Sequence, residues 1–114
     1  MKYRKIGNFD VTPIGLGCMG FSHAYGIAVE KQVAINMIKS AYDMGYNFFD
    51  TAECYTGINT NGTTSYNEEL VGEALKSVRG SVVIATKFGV QHNADKTLAL
   101  DSSPTTIRKS VEGS

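Results

Sequence analysis

Along this 114-residue chain, short apolar runs alternate with stretches in which apolar residues return every three or four positions, the spacing of one helix face. Tyr3 to Ile6 and Val11 to Gly17 read as two strand-like pieces separated by Gly7-Asn8, a dipeptide that tolerates positive φ. An opening hairpin running into a first core strand is therefore predicted. Val33, Ala34, Met37, Ile38, Ala41 and Tyr42 then recur at helical spacing, with Gly45 as the stop. A strand from Asn47 to Asp50 follows, and the polar stretch Gly57 to Thr64 is predicted as an exposed loop.

Ser65 and Glu68 have the form of a capping box, opening a second helix whose buried face is Leu70, Val71, Ala74, Leu75 and Val78 and which Gly80 ends. The run from Val82 to Thr86 begins with four apolar residues without polar alternation, which predicts a strand covered on both faces. Gly89 to Ser102 reads as a second polar loop. Ser103-Pro104 then forms an N-cap with proline at the first helical position, and Ile107 and Val111 lie one turn apart. Strand followed by helix, recurring about every 35 to 40 residues, indicates a parallel α/β sheet. The third helix starts within three turns of Ser114 with no later strand to reach, so the domain is expected to be cut short.

Composition changes this picture little. Apolar content of 42% and charged content of 19% are ordinary for a globular domain. Eleven basic residues balance eleven acidic ones, which removes any electrostatic reason to expect nucleic acid or an anionic membrane as partner. With no membrane-length apolar run and no signal-peptide pattern, a cytosolic location is expected. Cys18 and Cys54 lack a C-x-x-C spacing and are expected to be reduced, chiefly as packing residues near one rim. His23 and His92 fall in loops and read as solvated side chains rather than a metal site.

The chemistry lies at strand ends. If the strand closing at Asp50 and the strand leading to Lys87 are parallel neighbours, Asp50, Tyr55 and Lys87 emerge from one rim. Carbonyl reduction needs a proton at oxygen as hydride reaches carbon, and an unassisted phenol is a weak acid for that role. An ammonium about 4 Å away, at an effective dielectric near 20, stabilises a phenolate by up to ~4 kcal/mol. Lys87 would tune Tyr55, and Asp50 would keep Lys87 charged and in place. A competing reading starts from Gly15-Leu16-Gly17-Cys18-Met19-Gly20, which matches G-x-G-x-x-G of dinucleotide-binding folds. That motif requires a helix to begin at the glycines, whereas about ten residues intervene here, and Asp50 lies 30 positions past Gly20 instead of about 20.

Four segments taken together carry a more specific signal: Ile14-Gly15-Leu16-Gly17-Cys18-Met19-Gly20, Phe49-Asp50-Thr51-Ala52-Glu53-Cys54-Tyr55, Asn67-Glu68-Glu69-Leu70-Val71-Gly72-Glu73-Ala74-Leu75 and Ala85-Thr86-Lys87-Phe88-Gly89. In this order they resemble the amino-terminal part of the aldo-keto reductase family. The resemblance implies that residues 1–114 are the amino-terminal portion of a single (β/α)8 TIM-barrel domain, a hairpin plus about three βα units, working at the carboxyl ends of its strands. It also implies NADPH as cofactor and an aldehyde or ketone as substrate. Tyr55 then matches the proton donor, and Asp50 and Lys87 match two of its three catalytic companions. Gly17, Cys18 and Met19 match the turn that meets the nicotinamide end of the cofactor, with Asp50 also near its ribose. The family's catalytic histidine follows a later strand, and most cofactor loops come later still. The 114-residue piece is therefore expected to be inactive alone and to self-associate through open sheet edges. A non-catalytic role as an assembly or ligand-binding module is the alternative.

Overall fold

The computed structural model describes residues 2–95 and 97–114. Arg4–Ile6 (β1) and Phe9–Val11 (β2) pair antiparallel across Gly7, whose φ of +57° is the left-handed geometry the turn requires. The predicted continuous run from Val11 to Gly17 is broken. Pro13 has no N–H to offer a ladder, and Thr12 turns aside, its backbone N–H donating to Asn47 Oδ1 at 2.7 Å. Pairing resumes only at Leu16–Gly17 (β3).

A 3-10 turn, Met19–Phe21, and an irregular segment lead to helix Lys31–Asp43 (α1), capped by the Glu30 carboxylate accepting from the N–H groups of Gln32 and Val33. Its buried row is Ala34, Ile35, Ile38 and Ala41. Val33 and Met37, predicted to share the buried face, are exposed, because α1 packs on the next helix along the Ile35 flank. Phe48–Asp50 (β4) and Val83–Ala85 (β7) complete a parallel sheet ordered β3-β4-β7. Gly45, at φ +108°, turns the chain between α1 and β4.

Both polar loops are more ordered than their composition predicts. Thr56–Ile58 (β5) pairs with Thr64–Tyr66 (β6), and Val90–His92 (β8) pairs with Leu98–Leu100 (β9), each as an antiparallel hairpin. Gly62, at φ +85°, turns the first of them. The Ser65–Glu68 capping box does not form, since Ser65 is buried within β6 and helix Asn67–Leu75 (α2) starts beyond it at an N-cap without a side-chain bond. Glu68 instead accepts from the Thr86 hydroxyl at 2.9 Å. A 3-10 turn over Lys76–Ser81 carries the chain past Gly80 into β7, and helix Pro104–Gly113 (α3) is capped by Ser103 as predicted.

The parallel register decides which residues face the core. Leu16, Phe49 and Ile84 sit side by side on one face, against Ile35, Ile38, Val71 and Leu75 of the two helices. Phe48 and Val83 lie on the opposite face and are half-buried. The expectation that β7 is covered on both faces is thus corrected: all three of its residues are half-buried, because helices pack on one side only. Gly15 approaches β4 so closely that a Cβ there would lie 2.9 Å from the Phe48 ring.

Among the described residues no strand pairs with the outer edges of β3 and β7, and Ile14 and Phe88, close to them along the chain, are exposed. Unpaired edges beside apolar surface recruit further strands. The isolated 114-residue chain should therefore elute in light-scattering chromatography as species heavier than its 12.3 kDa monomer. A sharp monomer peak with cooperative unfolding would contradict this.

Candidate active site

Three strand ends build one rim. Gly17, Asp50 and Ala85 are register partners, and the backbone ladder continues beyond them: Cys18 N–H donates to Asp50 O, Thr51 N–H to Ala85 O and Glu53 N–H to Lys87 O, at 2.9, 2.9 and 3.0 Å. The expectation that Asp50, Tyr55 and Lys87 share a rim is therefore met in the strongest sense, since their side chains are in contact. Lys87 Nζ donates to Asp50 Oδ2 at 2.7 Å, to Thr51 O at 2.9 Å and to the Tyr55 hydroxyl oxygen at 3.1 Å. An ammonium has three N–H donors, and all three are used.

This geometry has two electrostatic consequences. Partial burial disfavours the Lys87 charge, but the hydrogen bonds and charges of Asp50 and Tyr55 outweigh it and raise the Lys87 pKa above its usual 10.5. The pair with Asp50 is thus intact at neutral pH, and its contribution to folding fades only as the pH rises through the elevated value. Because the Tyr55 oxygen accepts from Lys87, the phenolic proton is left to point elsewhere, as a proton donor requires.

Sequence reasoning missed the group that holds these loops together. Asn67, at the start of α2, is 1% exposed. Its Nδ2 donates to Cys18 O and to Ser22 Oγ, both at 2.8 Å, and its Oδ1 accepts from Thr51 Oγ1 at 2.6 Å. Its backbone N–H donates to Tyr55 O at 3.1 Å. One amide therefore joins the exits of β3 and β4 to the segment carrying Tyr55. The available signal was a polar residue at the head of an amphipathic helix, which ordinarily reads as a solvated first-turn position. Ser22 reaches this cluster because Gly57 has no side chain, and a Cβ there would overlap the Ser22 carbonyl oxygen.

Of the two histidines expected as solvated loop side chains, His92 is exposed but lies in β8, and His23 is half-buried. His23 Nδ1 lies 2.7 Å from Thr56 O and His92 Nε2 lies 3.0 Å from Cys54 O, so both flank Tyr55. Gly17 is exposed, with open space where a Cβ would project beside Asp50, and Met19 is half-buried. Cys18 turns inward at 0% exposure, its thiol against Leu16 O at 3.7 Å, while its backbone N–H and C=O are already bonded to Asp50 and Asn67. Burial, reinforced by the nearby Asp50 charge, pushes its pKa up to about 12. Cys54 is only half-buried.

Comparison with known proteins places these features in context. The model of the aldo/keto reductase family matches residues 13–114. Soybean (Glycine max) "Probable aldo-keto reductase 1" is 40% identical over 105 residues, covering 91% of this chain and 28% of the soybean protein. The fission yeast (Schizosaccharomyces pombe) "Aldo-keto reductase yakc [NADP(+)]" is 35% identical over 112 residues, covering 96% of this chain and 31% of the yeast protein. The holo form of aldo-keto reductase AKR11C1 from Bacillus halodurans superposes with a TM-score of 0.77 at 29% identity, over 98% of this chain and 34% of that structure. The chain thus spans under a third of the curated relatives it matches here, and its fold is part of a TIM barrel.

Removing the Asn67 amide strands three buried partners on two loops, Cys18 O and Ser22 Oγ after β3 and Thr51 Oγ1 after β4. Asn67→Ala should lower unfolding free energy by at least ~2 kcal/mol in urea titrations, and Asn67→Asp, which loses both donors, should not rescue it. A wild-type midpoint for either variant would refute the hub. With a thiol-specific reagent at pH 7, the folded chain should show one accessible thiol, lost in Cys54→Ser, while Cys18 reacts only on unfolding. Two fast-reacting thiols would show Cys18 to be accessible.

Proposed function

Because the chain belongs to the aldo/keto reductase family, we propose that its rim is the proton-transfer half of an NADPH-dependent site that reduces aldehydes or ketones to alcohols. The observation that carries this reading is the contact of Lys87 Nζ with both the Tyr55 hydroxyl and Asp50, at 3.1 and 2.7 Å. A phenol held by an ammonium, its own proton unspent, is suited to protonating a carbonyl oxygen as the carbon receives hydride. The choice of cofactor follows the NADP(+) in the yeast relative's name, and the bare, exposed Gly17 beside Asp50 leaves room for a flat ring at the rim.

When bound, the nicotinamide supplies the hydride. The chain's own residues handle the proton. Tyr55 gives it to the substrate oxygen, and Lys87, already donating to the phenolic oxygen, stabilises the negative charge that develops there. Asp50 and the Thr51 carbonyl hold Lys87 against that oxygen while balancing its charge. Uptake of a proton from water then restores the phenol. Gly17 and Met19 would border the nicotinamide. Cys18 contributes packing beneath it, with no side-chain contact at the rim.

The alternative, a non-catalytic assembly or ligand-binding module, is favoured for the 114 residues on their own by their open strand edges. Loss of most cofactor contacts removes binding, a larger penalty than the about 10² to 10⁴ in rate that one acid–base group is worth. Residues 1–114 alone should therefore give no enzyme-dependent decrease in nicotinamide absorbance with NADPH and a reactive aldehyde. Joined to the remaining barrel of the soybean relative, they should turn over, and Tyr55→Phe should remove at least ~99% of kcat with cofactor binding nearly intact. Unchanged turnover in that variant would take Tyr55 out of the mechanism. Robust activity of the short chain would overturn the claim that it needs the rest of a barrel.

A further inference from the structure

Three consecutive peptide carbonyls surround Tyr55, and each is bound by a side chain from another part of the chain. Cys54 O faces His92 Nε2 at 3.0 Å, Tyr55 O accepts from Ser22 Oγ at 2.7 Å, and Thr56 O faces His23 Nδ1 at 2.7 Å. A carbonyl oxygen only accepts, so each imidazole must carry a proton on the nitrogen that meets it. The tautomers are thereby set: Nδ1–H in His23 and Nε2–H in His92.

The rings also stack. His23 lies 5.9 Å from the Tyr55 ring centre, with planes 18° apart, and His92 leans on His23 at 5.4 Å. Among the described residues, the Tyr55 hydroxyl bonds only to Lys87, so neither histidine exchanges a proton with it directly. What both histidines hold is the main chain on either side of Tyr55. Thr51, Glu53 and Tyr55 are tied by backbone bonds to Ala85, Lys87 and Asn67, whereas the carbonyls of Cys54 and Thr56 on either side of Tyr55 are the ones that meet the imidazoles.

We propose that His23 and His92 are positioning residues that aim the Tyr55 hydroxyl, His23 through the Thr56 carbonyl and ring stacking, His92 through the Cys54 carbonyl. This role rests on the reading of Tyr55 as proton donor. The loop after β3 and the β8–β9 hairpin thereby act on the same three-residue stretch, each bringing one imidazole N–H to it. A displacement of about 1 Å at a reacting group can cost about 10²-fold in rate, so two bonds to the adjoining peptide units are enough to matter.

The test uses residues 1–114 joined to the remaining barrel of the soybean relative, with NADPH and 4-nitrobenzaldehyde as probes. Phenylalanine retains a stacking ring without the donor, asparagine places an N–H near the position of Nδ1, and glutamine does so for Nε2. His23→Phe and His92→Phe should each lower kcat by about tenfold or more, leaving KM for NADPH and the melting temperature unchanged. His23→Asn and His92→Gln should return kcat to within about threefold of the parent. Long-range proton–nitrogen NMR on histidine-labelled protein should show Nδ1–H for His23 and Nε2–H for His92. The opposite tautomers, or wild-type kcat in both phenylalanine variants, would overturn the positioning role. Absence of turnover in the parent would instead sink the functional reading beneath it, and the tautomers would still decide the clamp.

Discussion

The rim depends on one buried amide. In a parallel α/β unit the backbone register delivers strand ends to a common edge, but the loops beyond those ends have no ladder of their own. Here the Asn67 side chain takes over where the ladder stops, with two donors to the β3 exit and one acceptor for the β4 exit. A buried amide that loses a partner bears the full desolvation cost, so the two loops are coupled: moving one leaves an unsatisfied group on the other. None of the buried side-chain polar atoms among the described residues lacks a partner. Hydrophobic burial holds the sheet to its helices; this polar cluster decides how their ends are arranged.

The Lys87–Asp50 pair works differently. Both side chains are about half exposed, at 51% and 43%, and such pairs contribute little to folding, of the order of 0–1 kcal/mol. Its value is directional. Asp50 and Thr51 O occupy two of the three ammonium donors, leaving the third aimed at Tyr55. The ring also lies 4.8 Å beneath the ammonium, so the cation meets both the edge oxygen and the π face.

What could be read from the residues alone follows from the range of each interaction. The helices and parallel strands were legible because their signals are local: apolar spacing in α1 and α2, an unalternated run in β7, serine and proline at the head of α3. The rim was legible because register partners end together, so a strand-end acid and a strand-end lysine must be neighbours once the strands are parallel. The hairpins β5–β6 and β8–β9 were missed because polar composition reports solvent exposure, and an exposed hairpin is as polar as a loop. The helix start was misread because Ser65 carries a valid local cap signal that β-pairing with Gly57 overrides. His23 and His92 could not be placed, since what brings them to Tyr55 is bonding to backbone carbonyls more than 30 residues away, and a carbonyl has no sequence identity.

That last point bears on how such a site is specified. Asp50 and Lys87 can be placed by the strands that carry them, because each lies at or within two residues of a ladder end. Tyr55 cannot, since it lies five residues past Asp50 on an irregular segment and must turn back to reach Lys87. Its position has to come from contacts made by other loops, and these use backbone acceptors rather than the ring oxygen. This division leaves the hydroxyl with a single partner among the described residues, the one that stabilises its charged form, and keeps its proton available. A side-chain acceptor bonded to the phenol would have fixed the ring equally well while spending the proton the reaction needs. Holding the tyrosine by its peptide carbonyls satisfies both demands.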